Sequence, residues 1–233
     1  MPRTTTPGPL ANKGSQRWLQ LAVNRAPQTI DVPLREAVGA DGNASVTWIS
    51  PLAGQGYQEY RDQGFVDQLD LKLEKSLGDF WPLRGPMWDG PARVGEARVL
   101  VEAKAHMVEM MSGDSRASEK SKMQIEEALQ AVRQELAPRN TLQWSLWNGP
   151  FYQYANRLAH LHFLRGNAKA DVHLVYIYFL NAPGVDTVRT VEEWRGAIKL
   201  IDAYMGLGRH RLQQYVHKIF VDVKDIEGAA QHS

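Results

Sequence analysis

Along the chain, stretches with helical spacing of apolar residues take turns with short runs of β-branched and aromatic residues. The first dozen positions are rich in Thr, Pro and Gly and are expected to form a loose tail over 1–14. Helices are predicted over Ser15–Asn24 and Pro27–Val38, and SVTWI at Ser45–Ile49 reads as a strand. Tyr57–Leu69 places Tyr57, Tyr60, Phe65 and Leu69 at helix-like intervals, so a helix is expected there. From Phe80 to Lys104, short apolar runs are punctuated by Pro and Gly, the pattern of strands joined by tight turns. Helix returns at Ser118–Leu136, with Met123, Ile125, Leu129, Val132 and Leu136 as its apolar stripe. The next helix is expected to open at Pro150 and close at Gly166. Val172–Leu180 (VHLVYIYFL) is almost continuously apolar, as a strand covered on both faces should be, and is the candidate for the centre of the sheet. Thr190 and Glu193 form a capping-box pattern opening a helix that stops near Gly206 and Gly208, and Val216–Val223 reads as a last strand.

This order predicts an α/β protein, with a central mixed β-sheet flanked by helices and a small helical N-terminal extension. The expected divisions are a flexible tail over 1–14, N-terminal helices and strand over 15–56 packed on the core, an α/β domain over 57–225, and a tail over 226–233. At 233 residues and 43% apolar composition the chain has enough material for a real core, which excludes disordered, collagen-like and coiled-coil readings. No window approaches the run of about 18 to 20 apolar residues needed to cross a bilayer, and the N-terminal segment lacks the apolar centre of a secretory signal, so a soluble, cytoplasmic protein is expected. The absence of cysteine excludes disulfides, thiolate metal sites and thiol nucleophiles. A formal charge of +1 rules out a global basic field of the kind that drives non-specific nucleic-acid binding, though not a local basic groove.

The chemistry is concentrated in the segment from Trp88 to Lys104. If Gly95 and Glu96 form a two-residue hairpin loop, with Gly at the first central position as a type II′ turn prefers, Val94 pairs with Ala97. The same register then sets Asp89 directly across from Glu102, and Lys104 joins that face two residues on. Carboxylates facing each other across a ladder repel unless something positive lies between them, and a hard divalent cation such as Mg²⁺ would remove that repulsion. A lysine beside such an ion suits phosphodiester hydrolysis, in which negative charge builds on the attacked phosphate. The competing reading is an ordinary turn at Asp89 followed by a polar strand face, and Pro91, which cannot donate to a ladder, marks a bulge or an edge.

Asp89, twelve intervening residues, and then Glu102-Ala103-Lys104 at the end of VLVEAKA resembles the core motif of the PD-(D/E)XK nuclease superfamily. The resemblance covers roughly half the chain, from Tyr57 to Leu180, and differs in having Trp88 where the family motif has proline. It implies a restriction-endonuclease-like α-β-β-β-α-β core. It also implies Asp89 and Glu102 as Mg²⁺ ligands, with Mn²⁺ as a substitute, and Lys104 as the lysine that assists water attack. An acid from the helix before the sheet often completes the metal site in this superfamily, and Glu59, then Glu74, are the candidates. The implied partner is nucleic acid, DNA first, with a homodimer as a further option although no heptad marks an interface.

The helix from Pro150 to Arg165 adds secondary candidates. Phe151, Tyr154, Ala155, Leu158 and Leu161 form its expected buried stripe, leaving Gln153, Asn156, Arg157 and His160 on a polar side. Gln153 and Arg157, four residues apart on one face, are candidates to hold a phosphate or the lysine. His106 continues the 102, 104, 106 alternation and is placed at the edge of the same cleft. His160 and His162 diverge on their helix, so a zinc site is not expected there. No P-loop, GxGxxG, GxSxG or HExxH pattern is present. The runner-up function is a module that keeps the nuclease fold without catalysis and binds nucleic acid or a protein.

Overall fold

A computed structural model describes residues 8–112, 117–137 and 144–231. In chain order the elements are α1 (Gly14–Arg25), α2 (Gln28–Ala37), β1 (Val46–Trp48), α3 (Gln63–Gln68), α4 (Leu77–Phe80), β2 (Ala92–Val94) and β3 (Ala97–Lys104). They continue with α5 (Glu119–Leu136), α6 (Trp144–Trp147), α7 (Tyr152–Asn167), β4 (Val172–Leu180), α8 (Val191–Met205), β5 (Val216–Asp222) and α9 (Val223–Ala230). The five strands form one sheet in sequence order, antiparallel from β1 to β3 and parallel from β3 to β5. The α/β class and the helix-flanked mixed sheet expected from the sequence are therefore present.

Strand periodicity sorts the sheet residues into two cores. Leu100, Leu174, Tyr176 and Tyr178 face a layer built from α5, α7 and α8, while Val99, Val101, Val175, Ile177 and Phe179 face α1, α2 and α9. Burial on both sides explains the unbroken apolar run of β4, and each fully buried aliphatic side chain contributes about 1.5–3 kcal/mol. β4 is hydrogen-bonded on both edges, but the middle of the five-strand order is β3, which carries the Glu102 motif.

The hairpin register is the one expected. Val94 pairs with Ala97, Arg93 with Arg98 and Ala92 with Val99, and Gly95 has φ of 53°, which suits glycine at the first turn position. The ladder stops at Pro91, which has no N–H to give. Its carbonyl instead accepts from Ile49 of the β1 side, and the Gly90 N–H reaches the Val101 carbonyl at 3.4 Å.

Several local expectations fail for identifiable reasons. The helix predicted over Tyr57–Leu69 is cut down to α3, because Tyr57 and Asp62 both take left-handed backbone angles and Tyr60 bridges to Trp88 instead. The Asp62 carboxylate accepts the backbone N–H groups of Arg84 and Gly85, pinning the loop where strands were predicted from Phe80. Pro82, Gly85 and Pro86 keep that loop out of the sheet, so paired strand begins only at Ala92. Met123 is exposed, and the stripe of α5 is Ile125, Ala128, Leu129, Val132 and Leu136.

The helix expected to open at Pro150 begins at Tyr152 and runs through Gly166 to Asn167. Residues 226–230, read as tail, complete α9, because Val223 and Ile226 bury against the sheet. At the other end, positions 1–7 of the predicted tail lie outside the described residues. Gly8 is already bonded to Gly56, and Ala11 to the Gln20 side chain. β1, assigned to the N-terminal part, pairs with β2, so that part and the core share one sheet. The capping box at Thr190 and Glu193 and the Gly206 stop of α8 are as predicted. No helix among the described residues is long and apolar enough to cross a membrane.

Candidate active site

β3 is the strand at which antiparallel pairing gives way to parallel pairing, and the motif residues sit near its carboxyl end. In open α/β sheets ligands bind in the crevice outside the carboxyl ends of the strands, where the topology switches. Glu102 and Lys104, two residues apart, project from the same face toward α7. There Glu102 Oε1 meets Lys104 Nζ at 2.7 Å, and the same Nζ donates to Gln153 Oε1 at 2.7 Å. Arg157, one turn along α7 from Gln153, takes the other oxygen: its Nε and Nη2 both lie 2.6 Å from Glu102 Oε2. Arg157 further donates to Asn156 Oδ1 and to the Met87 carbonyl, and its guanidinium lies 4.6 Å from the centre of the Trp88 ring. One side chain thereby ties α7, β3 and the segment leading into Asp89.

Asp89 arrives across from Glu102, as the register requires. Its Oδ2 accepts the Ala103 backbone N–H at 2.8 Å, which sets its carboxyl beside the peptide between Glu102 and Lys104. Glu59 comes from the extended segment before α3 rather than from a helix, and it is buried, with Oε1 accepting from Gln16 of α1 at 3.1 Å. Glu59, one of the two candidates the resemblance offered for a third acid, is thus carried by an extended segment and not by a helix, and its charge couples to that of Glu102. Glu74 pairs with Lys169 at the far end of the sheet and is not part of the site.

Electrostatics tie these groups together. Burial pushes the Asp89 carboxyl up to about 8, the negative charge of Glu102 adds to this, and Lys104 opposes it. Burial also works against the charge on Glu102, but Arg157 and then Lys104 overcome it and hold the carboxyl below its ordinary range. Glu59 is raised by burial, with the Gln16 hydrogen bond opposing and the charge of Glu102 adding.

The helix side predicted to be polar is buried: Arg157, Asn156 and His160 are all covered. Gln153 holds the lysine, one of its two expected uses. Arg157 is spent on Glu102 and Met87 rather than standing ready for a phosphate. His160 gives no acid or base near neutrality, since burial drives it down to about 3 and its Nδ1 is 2.8 Å from the Asn156 carbonyl. His162 turns away to Glu135, so the two histidines do diverge. His106 bridges to Thr187 and packs against Gly184 in the loop after β4, so its described contacts are with that loop and not with the carboxylates.

Two residues escaped the sequence reading. Tyr176 is the β4 partner of Glu102 in the parallel ladder, and its buried hydroxyl has no hydrogen-bond partner. It helps line a cavity of about 10 Å³, shared with Glu102, Lys104, Gln153 and Arg157, which is room for one water. Trp88, noted in the sequence only as standing where the family motif has proline, lies under the Arg157 guanidinium, and only the parallel register and the path of the 81–88 loop reveal these neighbours.

Among the described residues no three His, Asp or Glu side chains already form a metal cage. The donors present nevertheless suit a hard cation, because Mg²⁺ is commonly held by one or two carboxylates with water filling its other positions. The orphaned Tyr176 hydroxyl beside the one-water cavity suits a single water rather than an ion with its hydration shell. Asp89 and Glu102 would hold the cation, with Glu59 close enough to add its charge.

The class this geometry defines is an α/β protein with a buried carboxylate, lysine and arginine cluster at the carboxyl end of its middle strand. Comparison with family models, curated proteins and solved structures finds no match for this chain.

Proposed function

We propose that the protein is a metal-dependent phosphodiester hydrolase of the PD-(D/E)XK nuclease type, acting on nucleic acid with DNA as the first substrate. The observation that carries this reading is the convergence of Asp89, Glu102 and Lys104. Asp89 bonds to the backbone between the other two, and Lys104 Nζ bonds to Glu102. Further support comes from the sheet, in which three antiparallel strands and then a parallel one recur in chain order as in a restriction-endonuclease-like core, although α3 and α4 interrupt β1 and β2 and β1 lies before Tyr57.

In this reading Asp89 and Glu102 would hold a Mg²⁺ or Mn²⁺ ion, which would polarise the phosphodiester and make water more acidic. Lys104 is held by Glu102 and Gln153 with N–H capacity left to orient the attacking water or the phosphate. Arg157 keeps Glu102 fixed in orientation.

The test is cleavage of supercoiled and linear DNA, and of RNA, in Mg²⁺ or Mn²⁺ by wild type and Lys104→Ala. Loss of cleavage in a folded Lys104→Ala variant is expected, and an equally active variant overturns the role of the lysine. One observation favours a second reading, a nuclease-fold binding module without catalysis: both oxygens of Glu102 are already occupied by cationic side chains in a buried setting. Mn²⁺ calorimetry on wild type, Asp89→Asn and Glu102→Gln separates the two. Binding that both substitutions destroy supports the hydrolase, whereas no binding by the folded wild type favours the module.

A further inference from the structure

We infer that the cavity of about 170 Å³ bounded by α7 and the 76–83 segment is a binding site for an uncharged, pyrimidine-sized ring carrying an N–H donor, such as a uracil or thymine base. None of Asp89, Glu102 and Lys104 lines it, so the site is separate from the carboxylate cluster, and the inference goes beyond the metal-dependent reading above. Leu77, Trp81, Pro82 and Leu83 supply its apolar wall, and His160 lines it from α7. An apolar cavity of about 150 Å³ holds one benzene ring, so this volume takes a single six-membered ring and leaves little for a fused purine.

The polar chemistry of this cavity centres on His160, which is 1% exposed. Its Nδ1 lies 2.8 Å from the Asn156 carbonyl, and a carbonyl can only accept, so the proton of the neutral ring sits on Nδ1. Burial keeps that ring neutral at physiological pH. Nε2 is then a bare acceptor on the opposite edge, with no hydrogen-bond partner among the described residues. A buried acceptor left unpaired is costly, and a ligand N–H removes the cost. The Trp81 ring, 4.7 Å from that of His160 between centroids, offers an aromatic surface to a planar guest. Leu83 lines the cavity yet is 73% exposed, so a guest would cover it. Charge excludes a phosphate here: no described lining residue is cationic, and Asp62, whose oxygens accept the Arg84 and Gly85 N–H groups, is the lining carboxylate. His160 stands seven residues beyond Gln153, about 10 Å along α7, so a strand whose phosphate lies at Lys104 has a base within reach of the cavity.

The experiment is nitrogen-15 NMR of the labelled full chain, without divalent ions, with 1-methyluracil as the ligand and the His160 ring resonances as the readout. 1-Methyluracil keeps the imide N–H that a uracil nucleotide leaves free, and 1,3-dimethyluracil is the same ring with that donor removed. The first should move the Nε2 resonance saturably and bind at least roughly tenfold more tightly than the second. His160→Phe keeps a ring but no acceptor, and should bring the two compounds within about threefold of each other by calorimetry. Displacement of 1-methyluracil by thymidine or by a short oligothymidylate, whichever acts at the lower concentration, tells a free nucleoside from a single strand. No shift at Nε2, equal binding of the two compounds to wild type, an undiminished preference in a folded His160→Phe variant, or displacement by neither overturns the inference. If His160→Phe fails to fold, the two compounds on wild type still decide. No divalent ion enters this test, so its failure leaves the metal-dependent reading to the cleavage assay, and absence of cleavage leaves the base site standing.

Discussion

Arg157→Met tests whether the cluster is held together by charge compensation. The substitution keeps an unbranched side chain of comparable length, yet it removes the two bonds to Glu102, the bond to the Met87 carbonyl and the bond to Asn156. Glu102, whose side chain is only 2% exposed, is then left with Lys104 as its described cationic partner. Removing one member of a buried ion pair costs about 3–5 kcal/mol, because the remaining charge cannot recover its hydration. For a chain of this size that corresponds to a fall in melting temperature of about 6–20 °C, at about 2–4 °C per kcal/mol. The surface pair Lys122–Glu119 provides the control, since its side chains are 41% and 88% exposed and Lys122→Met should change stability by no more than about 0.5 kcal/mol. Urea denaturation at fixed pH measures both. The double variant Arg157→Met/Glu102→Gln removes the stranded charge and should be more stable than the sum of the single effects by about 1–3 kcal/mol. An Arg157→Met variant within about 1 kcal/mol of wild type, or a strictly additive double variant, would refute the reasoning.

Other consequences can be checked separately. Asp89 holds its proton up to about pH 8 when folded but ionises near 3.8 when unfolded, so between those values the folded chain carries the extra proton and its contribution to stability falls as pH rises. The slope from this group is at most about 1.4 kcal/mol per pH unit, and urea denaturation from pH 5 to 7.5 should show Asp89→Asn gaining on wild type; parallel pH profiles would contradict the assignment. A methyl group at Gly90 would lie 2.9 Å from the Trp48 ring and 3.2 Å from Leu19, so Gly90→Ala should lose about 1–3 kcal/mol in thermal melts, and a neutral result would show that the contact relaxes freely. Thr190→Ala removes half of the capping box of α8 and should lose about 1 kcal/mol in the same assay, with no loss showing that the cap is dispensable.

The chain's local code settles a good deal of this protein. The hairpin at Gly95 is specified by a turn residue and two short runs, and period-two geometry then carries Asp89 across from Glu102 without any knowledge of the rest of the fold. Helices with clear caps, such as those ending at Leu136 and Gly206, and the continuous apolar run of β4 were equally readable, because capping and burial on both faces leave marks at fixed spacing. What the local pattern could not decide is where long-range partners override propensity. The stretch after Tyr57 has helical spacing, but the bridge of Tyr60 to Trp88 and the capture of the 84–85 turn by Asp62 keep its first part out of helix, which begins only at Gln63. Arg157 read as a candidate phosphate holder on a polar helix face, because periodicity cannot tell a face turned to a ligand from one turned to a buried carboxylate. That distinction arises only when the parallel crossover from β3 to β4 lays α7 over Glu102, and the same crossover brings Tyr176 beside it. Residue identity and spacing thus determined which groups can do chemistry, while tertiary packing decided which are charged, which are already paired and how much room is left between them.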